Sequence, residues 1–528
     1  MSLAWALFAL YLVGTAWLGW VGYRKTRGFG SFAIGGGDLS PLVVGITLAA
    51  STASAATFII NPGFVYVDGL GAWFHMVVGL GIGFCTMLYF LSFRFRRIGA
   101  ESGALTIPDW IGKRYDSPGY ALFFSILTLL SFAFVVLLVG GISIVMQPLL
   151  GVSNAVALAI TLVFVTGYVF IGGTYAHVLT NMLQGTLMIG VTLLVLGSIV
   201  TIATADGPGL FERLRDVEPT LLMAVNPDGA LFNNVFANYV AGFVIGAVVV
   251  CQPHILTKAL YVKDDRAVRQ YLTVFTVVFA LFLLLVTVGF LAHLVVPDSA
   301  LIDPATGAFR QDLVMTAYLQ TMFPEWMFTI IAVVLLAAAM STLDGLLVSL
   351  STITANDLVL NVLPKRLRDG LDEAGRMKLA MRASHVVLVV IAVAAYRINL
   401  NPPRLLGVFG QVGVYGLAVA ATPPLIAGVL ARRPSVAAAC AASLGALLIH
   451  FGLYGYGATW FPNSSLAFAN PGVTAAIAAL IVVPPLLLAS GIGKRGGGRG
   501  PAANAGYKKP APRPPGGQHG GPRGGGGG

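Results

Sequence analysis

The polar side chains able to do chemistry in this sequence are few, and they are grouped. The run Ala49-Ala50-Ser51-Thr52-Ala53-Ser54-Ala55-Ala56-Thr57 sets four hydroxyls into a small, apolar stretch, and Asn61-Pro62-Gly63 follows closely. A second run, Ala337-Ala338-Ala339-Met340-Ser341-Thr342-Leu343-Asp344, sets two more hydroxyls beside a carboxylate. Hard monovalent cations want several oxygens at once, from carbonyls and hydroxyls, without needing full charge. Ser341 and Thr342 offer such oxygens, and the carbonyl of Ala338 lies one turn earlier. The same hydroxyls can bond back to their own helix, and small residues also serve close helix approach. On residue types alone both readings stand.

Other chemistries lack their parts. Asp344 is the only carboxylate well within an apolar stretch, and no Lys or Arg stands near the middle of one. Buried carboxylate relays and spaced voltage-sensing arginines are therefore not expected. There is no H-E-x-x-H, no aspartate pair and no Ser/His constellation, so no enzyme is expected. The seven histidines are scattered singly, and each reads more readily as a packed or interfacial residue than as a metal ligand. The three cysteines, Cys85, Cys251 and Cys440, form no C-x-x-C pair, so neither a metal centre nor a disulfide framework is expected.

The elements that must position these residues follow from composition. Of 528 residues, 57% are hydrophobic and only 10% charged, well below the usual quarter for a soluble domain. Seven of the 32 Lys and Arg fall in 494–528, so the rest of the chain is too weakly basic for a nucleic-acid surface. The pattern is that of an all-α polytopic membrane protein. Thirteen stretches reach the length needed to cross a bilayer, near 4–22, 41–67, 71–93, 118–146, 154–172, 178–204, 234–257, 270–296, 327–355, 380–398, 404–430, 435–455 and 471–492. With the N-terminus outside and the C-terminus inside, 20 basic residues fall in inner loops and five in outer ones. That asymmetry fits the positive-inside rule and so the orientation. Residues 1–493 then form the membrane domain. The tail 494–528, rich in Gly, Pro and basic residues, has almost nothing apolar to bury and is expected to be a disordered cytoplasmic segment.

In two spans a helix breaker stands beside polar residues. Pro62-Gly63 ends the first hydroxyl run, and Cys251-Gln252-Pro253-His254 closes the seventh span. Proline removes a backbone donor, and backbone freed at that depth survives where it lines a cavity or is buried in protein. Breaks at corresponding places in two halves point to an inverted-repeat transporter.

With these motifs in view the chain resembles the sodium:solute symporter family, which includes proline, pantothenate and acetate permeases. The likeness runs through Phe32-Ala33-Ile34-Gly35-Gly36, the Ser/Thr run ending in Pro62-Gly63, Gly172-Gly173-Thr174-Tyr175-Ala176 and Gln184. It continues in Gln252-Pro253-His254 with Lys263-Asp264, and in Ala339 to Asp344. The resemblance implies a leucine-transporter-type core of two inverted five-helix repeats, about 41–204 and 234–430. It implies sodium as the coupling ion, no other cofactor, and a sodium site built from the carbonyls of Ala50, Ala53 and Ala338 with the hydroxyls of Ser341 and Thr342. Asn181 stands where the family usually has an acid that supports cation handling. Val249, Ile245 and Thr52 depart from the proline permeases, which disfavours proline as the solute.

The expected activity is sodium-coupled symport of a small organic solute by alternating access, in a bacterial cytoplasmic membrane and by a monomer. The solute is expected to be a carboxylate, either pantothenate or a short monocarboxylate. Its expected contacts are Ser54, Thr57 and Asn61 at the first break, His75 on the next span, Gln252 at the second break and Gln411 on the eleventh span. A proton-coupled carrier on the same fold, or a transporter-like membrane sensor, are the alternatives.

Overall fold

The computed structural model describes residues 3–303, 307–359, 372–403 and 406–490. The tail 494–528 lies outside them, as do Lys365, Arg366, Arg368 and Arg404 of the loop-charge count. Among the described residues the regular structure is helical, apart from one isolated bridge between Ile302 and Phe309.

Among the described residues ten helices are long and apolar enough to cross a membrane, or up to twelve if each of two bent pairs is one span. Two of the ten are too long to be single crossings. Ala56–Ser102 runs for 47 residues and Asn154–Ala203 for 50, which at ~1.5 Å per residue is more than twice the ~30 Å hydrocarbon. Each holds one glycine outside helical geometry: Gly69 at φ 59°, ψ −136°, and Gly173 at φ 50°, ψ −138°. A Cβ at either place would meet neighbouring atoms within 2.4 Å. Only glycine takes that backbone without strain, and there the chain turns.

The helix Glu325–Ile353 is almost wholly buried. It packs against Asn154–Ala203, Phe132–Leu150 and Pro41–Thr52. A helix that is apolar on every side needs such surroundings, and Ala337, Ala338 and Ala339 let its neighbours come close. Leu406–Leu430 is buried in the same way, whereas Leu3–Lys25 and Val436–Trp460 leave most of their surface outward.

Glycines set the closest approach of all. A Cβ on Gly83 would lie 2.0 Å from the Phe243 carbonyl oxygen, and one on Gly246 would lie 2.2 Å from that of Leu80. The helices Leu80–Ser102 and Gly242–Val249 therefore touch backbone to backbone. At the end of this pair Arg96 donates to the Lys263 carbonyl and to Asp265, both at 2.8 Å, and Arg97 pairs with the same carboxylate.

These packings separate two kinds of glycine. Gly83→Val should cost about 1–3 kcal/mol, the usual range for overpacking. Gly190→Ala, where a Cβ meets nothing within 4 Å, should leave stability unchanged or slightly raised. Thermal melting of the two purified variants in detergent checks the contrast.

Candidate cation and solute site

The first interruption falls at Ala53. The helix Pro41–Thr52 ends there because Ala53 adopts φ −81°, ψ 75°, and the Ser54 N–H turns back to the Thr52 carbonyl at 3.0 Å. That is an inverse γ-turn. Ser54 then starts the next segment by accepting from the Ala56 N–H at 3.1 Å. In an uninterrupted helix the carbonyls of Ala50 and Ser51 would accept from residues 54 and 55. Here Ser341 Oγ donates to Ala50 O at 2.9 Å, and Thr342 Oγ1 donates to Ser51 O at 2.9 Å. The two carbonyls released by the break are taken by the two hydroxyls of the buried Glu325–Ile353 helix.

This placement corrects the position read from sequence. Pro62 and Gly63 do not interrupt the chain; they lie in the first turn of Asn61–Trp73. The preceding turn, Ala56–Ile60, is a π-helix in which the Asn61 N–H reaches back to Ala56 O. That wider turn absorbs the ring and the missing donor of Pro62. The second interruption lies where the proline sits, since Gln252 is extended (φ −71°, ψ 144°) and Pro253 opens Pro253–Leu256.

Ser341 Oγ also lies 2.7 Å from Ala338 O. One hydroxyl proton thus faces two carbonyl oxygens, an arrangement rich in acceptors. Of the expected cation residues, Ala50, Ala338 and Ser341 converge. Thr342 meets Ser51 rather than Ala50, and Ala53 forms the turn itself. Asn181 ties the two helices together, donating through Nδ2 to Ser51 Oγ and to Ser341 O, both at 2.8 Å. A carboxylate at 181 could make neither donation.

One turn along, a network appears that the sequence reading missed. Asp344 accepts from Tyr168 Oη at 2.9 Å, His177 Nδ1 lies 2.9 Å from its other oxygen, and Thr180 Oγ1 stands at 3.2 Å. All four residues are buried. His177 is thus no packing residue. The available signal was a polar stripe at helical spacing, His177, Thr180, Asn181 and Gln184. Lys258 is a second correction: the span read from sequence ends at residue 257 and leaves it among the inner-loop charges, yet it is buried in the 3₁₀ turn Thr257–Tyr261 after the second break, with Nζ donating to His254 O at 2.6 Å.

Between the two interruptions lies a small cavity of about 90 Å³. Ser54, Thr57, Asn61, Gln252 and Gln411 all line it, with Ser51, Thr52 and His254. His75 does not. Its Nδ1 lies 2.7 Å from Ala237 O and its ring packs on Phe232, in an adjoining space of about 30 Å³ that shares Asn61 and Gln411 with the first.

Comparison with known proteins gives this architecture a class. Residues 32–445 match the sodium:solute symporter family, so the chain belongs to that family of membrane symporters. It is 27% identical over 410 residues to the sodium/pantothenate symporter of Haemophilus influenzae, covering 76% of this chain and 79% of that protein. It is 27% identical over 411 residues to the sodium/proline symporter of Escherichia coli, covering 76% and 78%. Among solved structures it resembles a Na+-coupled sialic acid symporter in a substrate-bound outward-open state. That likeness has a TM-score of 0.73 and 15% sequence identity, across 94% of this chain and 98% of the other. At that identity the likeness speaks for the fold.

The Asp344 network yields a stability test. Tyr168→Phe removes one donor from a buried carboxylate and should cost about 1.5–3 kcal/mol. Melting of the purified protein reads it, and an unchanged transition would mean that the Tyr168 hydroxyl does not bear on the charge.

Proposed function

We propose that the protein carries sodium inward together with a small carboxylate solute, by alternating access around the cavity between the two helix interruptions. One observation carries this reading. Ser341 Oγ stands within 2.9 Å of two carbonyl oxygens on different helices while holding a single proton. A cation entering there lets that oxygen and both carbonyls face positive charge together. Sodium is bound by Ala50, Ala338, Ser341 and Thr342, with Ala53 at the turn and the Ser51 carbonyl beside them. Asn181 holds the helices in register in place of an acid. Sodium moving inward contributes about 2.3 kcal/mol per charge per 100 mV.

The solute occupies the cavity against Ser54, Thr57, Asn61, Gln252 and Gln411, with His75 in the adjoining space. Similarity to the pantothenate symporters and the broken half-helices beside the cavity support a carboxylate, pantothenate or a short monocarboxylate. Turns at Gly69 and Gly173, with each interrupted helix taken as one span, support thirteen crossings. The N-terminus is then outside and the C-terminus inside a bacterial cytoplasmic membrane. Spans two to six and seven to eleven form the inverted repeats within a transporter domain of residues 1–493, which acts as a monomer.

Uptake of labelled pantothenate, acetate, pyruvate and proline into proteoliposomes tests this. Under an inward sodium gradient a carboxylate should accumulate. Choline in place of sodium, or Ser341→Ala combined with Thr342→Ala, should abolish accumulation. Uptake that ignores both changes and instead follows external pH would point to proton coupling.

A further inference from the structure

Lys258 has no role in the site so far described, yet its position is costly. Its side chain is 1% exposed, and among the described residues its Nζ has a single hydrogen-bond acceptor, the His254 carbonyl at 2.6 Å. An ammonium carries three donors and sheds its water at a large cost inside a membrane unless its charge is met. The carboxylate of Asp344 acts on it electrostatically. That carboxylate is already occupied by Tyr168, His177 and Thr180, and it forms no ion pair with Lys258. Lys258 therefore has unfilled capacity for an anion.

A second buried group stands close by. His254, in the short helix Pro253–Leu256, precedes Lys258 by four residues, and its carbonyl accepts from Lys258 Nζ across the 3₁₀ turn Thr257–Tyr261 that follows. His254 is 4% exposed, lines the cavity, and its Nδ1 has no hydrogen-bond partner. The segment that carries both begins at Pro253, beside the cavity. It leads to the Lys263–Asp265 turn held by Arg96, on the inner side in the proposed topology. The cavity is thus lined by His254, with its unpartnered ring nitrogen, and followed four residues on by the buried Lys258 ammonium.

We propose that His254 and Lys258 form a transit site for an anionic group, which takes the carboxylate of the solute as it leaves the central cavity toward the cytoplasm. This rests on the reading of the solute as a carboxylate. In the cavity the anion is held by neutral hydroxyls and amides. On inward opening, the Lys258 ammonium offers two unused donors and a full charge, so the solute leaves the cavity by exchanging partners rather than by losing them. Lys258 is then a determinant of which solutes are released, and it favours anions over neutral molecules of the same shape.

The test uses the full-length protein in proteoliposomes with an inward sodium gradient. Pantothenate, pyruvate and acetate are each paired with a neutral counterpart: pantothenol, pyruvamide and acetamide. For the carboxylate that is carried, Lys258→Gln should lower the maximal rate about ten- to a hundredfold, the range expected for losing a charge-assisted hydrogen bond, with a much smaller change in KM. Lys258→Arg should restore most of that rate. Transport of the neutral counterpart should be no slower in Lys258→Gln than in the unaltered protein. His254→Gln should move rates in the same direction and by less.

Equal loss for carboxylate and neutral counterpart would make Lys258 a structural residue and overturn the proposal, as would an unchanged carboxylate rate in Lys258→Gln. Should Lys258→Gln fail to fold, Lys258→Met and His254→Gln carry the same comparison. If no carboxylate is carried by the unaltered protein, the reading of the solute fails, and this proposal fails with it.

Discussion

The structure depends on two carbonyl groups that lose their helical partners. An inverse γ-turn at Ala53 leaves Ala50 and Ser51 with unbonded oxygens deep in an apolar interior. Lipid offers nothing to satisfy them, so another helix must. Ser341 and Thr342 do so from an almost wholly buried helix. Much of the surrounding architecture serves that contact. Alanines at 337–339 let the helices close, Asn181 bridges them, and the neighbouring helices enclose the pair.

The same contact is suited to change. Hydroxyl-to-carbonyl bonds between neutral groups are modest, about 0.5–1.5 kcal/mol each in net terms. They hold two helices together without locking them. A cation that replaces the hydroxyl protons as the shared positive partner strengthens the tie by its own binding energy, and its departure weakens it. In this account a bound ion biases the equilibrium between two arrangements by its differential affinity for them. In the proposed reading the central cavity, lined by Ser51, Thr52 and Ser54, meets the cation residues at Ser51, so that solute and ion would act on one interruption.

Much of this was legible in the sequence, and the failures have physical causes. Apolar length marked the membrane-crossing helices, and Pro253 marked the second interruption, because a proline at the head of a half-helix needs an extended residue before it. The first interruption was misplaced because a proline was taken as sufficient to break a helix. At Pro62 a π-turn absorbs the ring, whereas Ala53 turns without any residue type that announces it. The partners of Asp344 could not be read from any one segment, since Tyr168 and His177 sit on a different helix some 170 positions away. Lys258 escaped for a related reason: a positive charge next to a loop reads as solvent-facing until the packing around it is known.

The claim on which the rest stands is that the Ala53 interruption and the Ser341–Thr342 turn are joined through a bound sodium ion. Hydrogen exchange of the purified protein, with sodium and with choline in its place, measures that link most directly. The account predicts that sodium slows exchange in peptides covering 49–58 and 338–345 together, and that Ser341→Ala removes the protection from both. Protection of neither segment by sodium, or of one without the other, would contradict it.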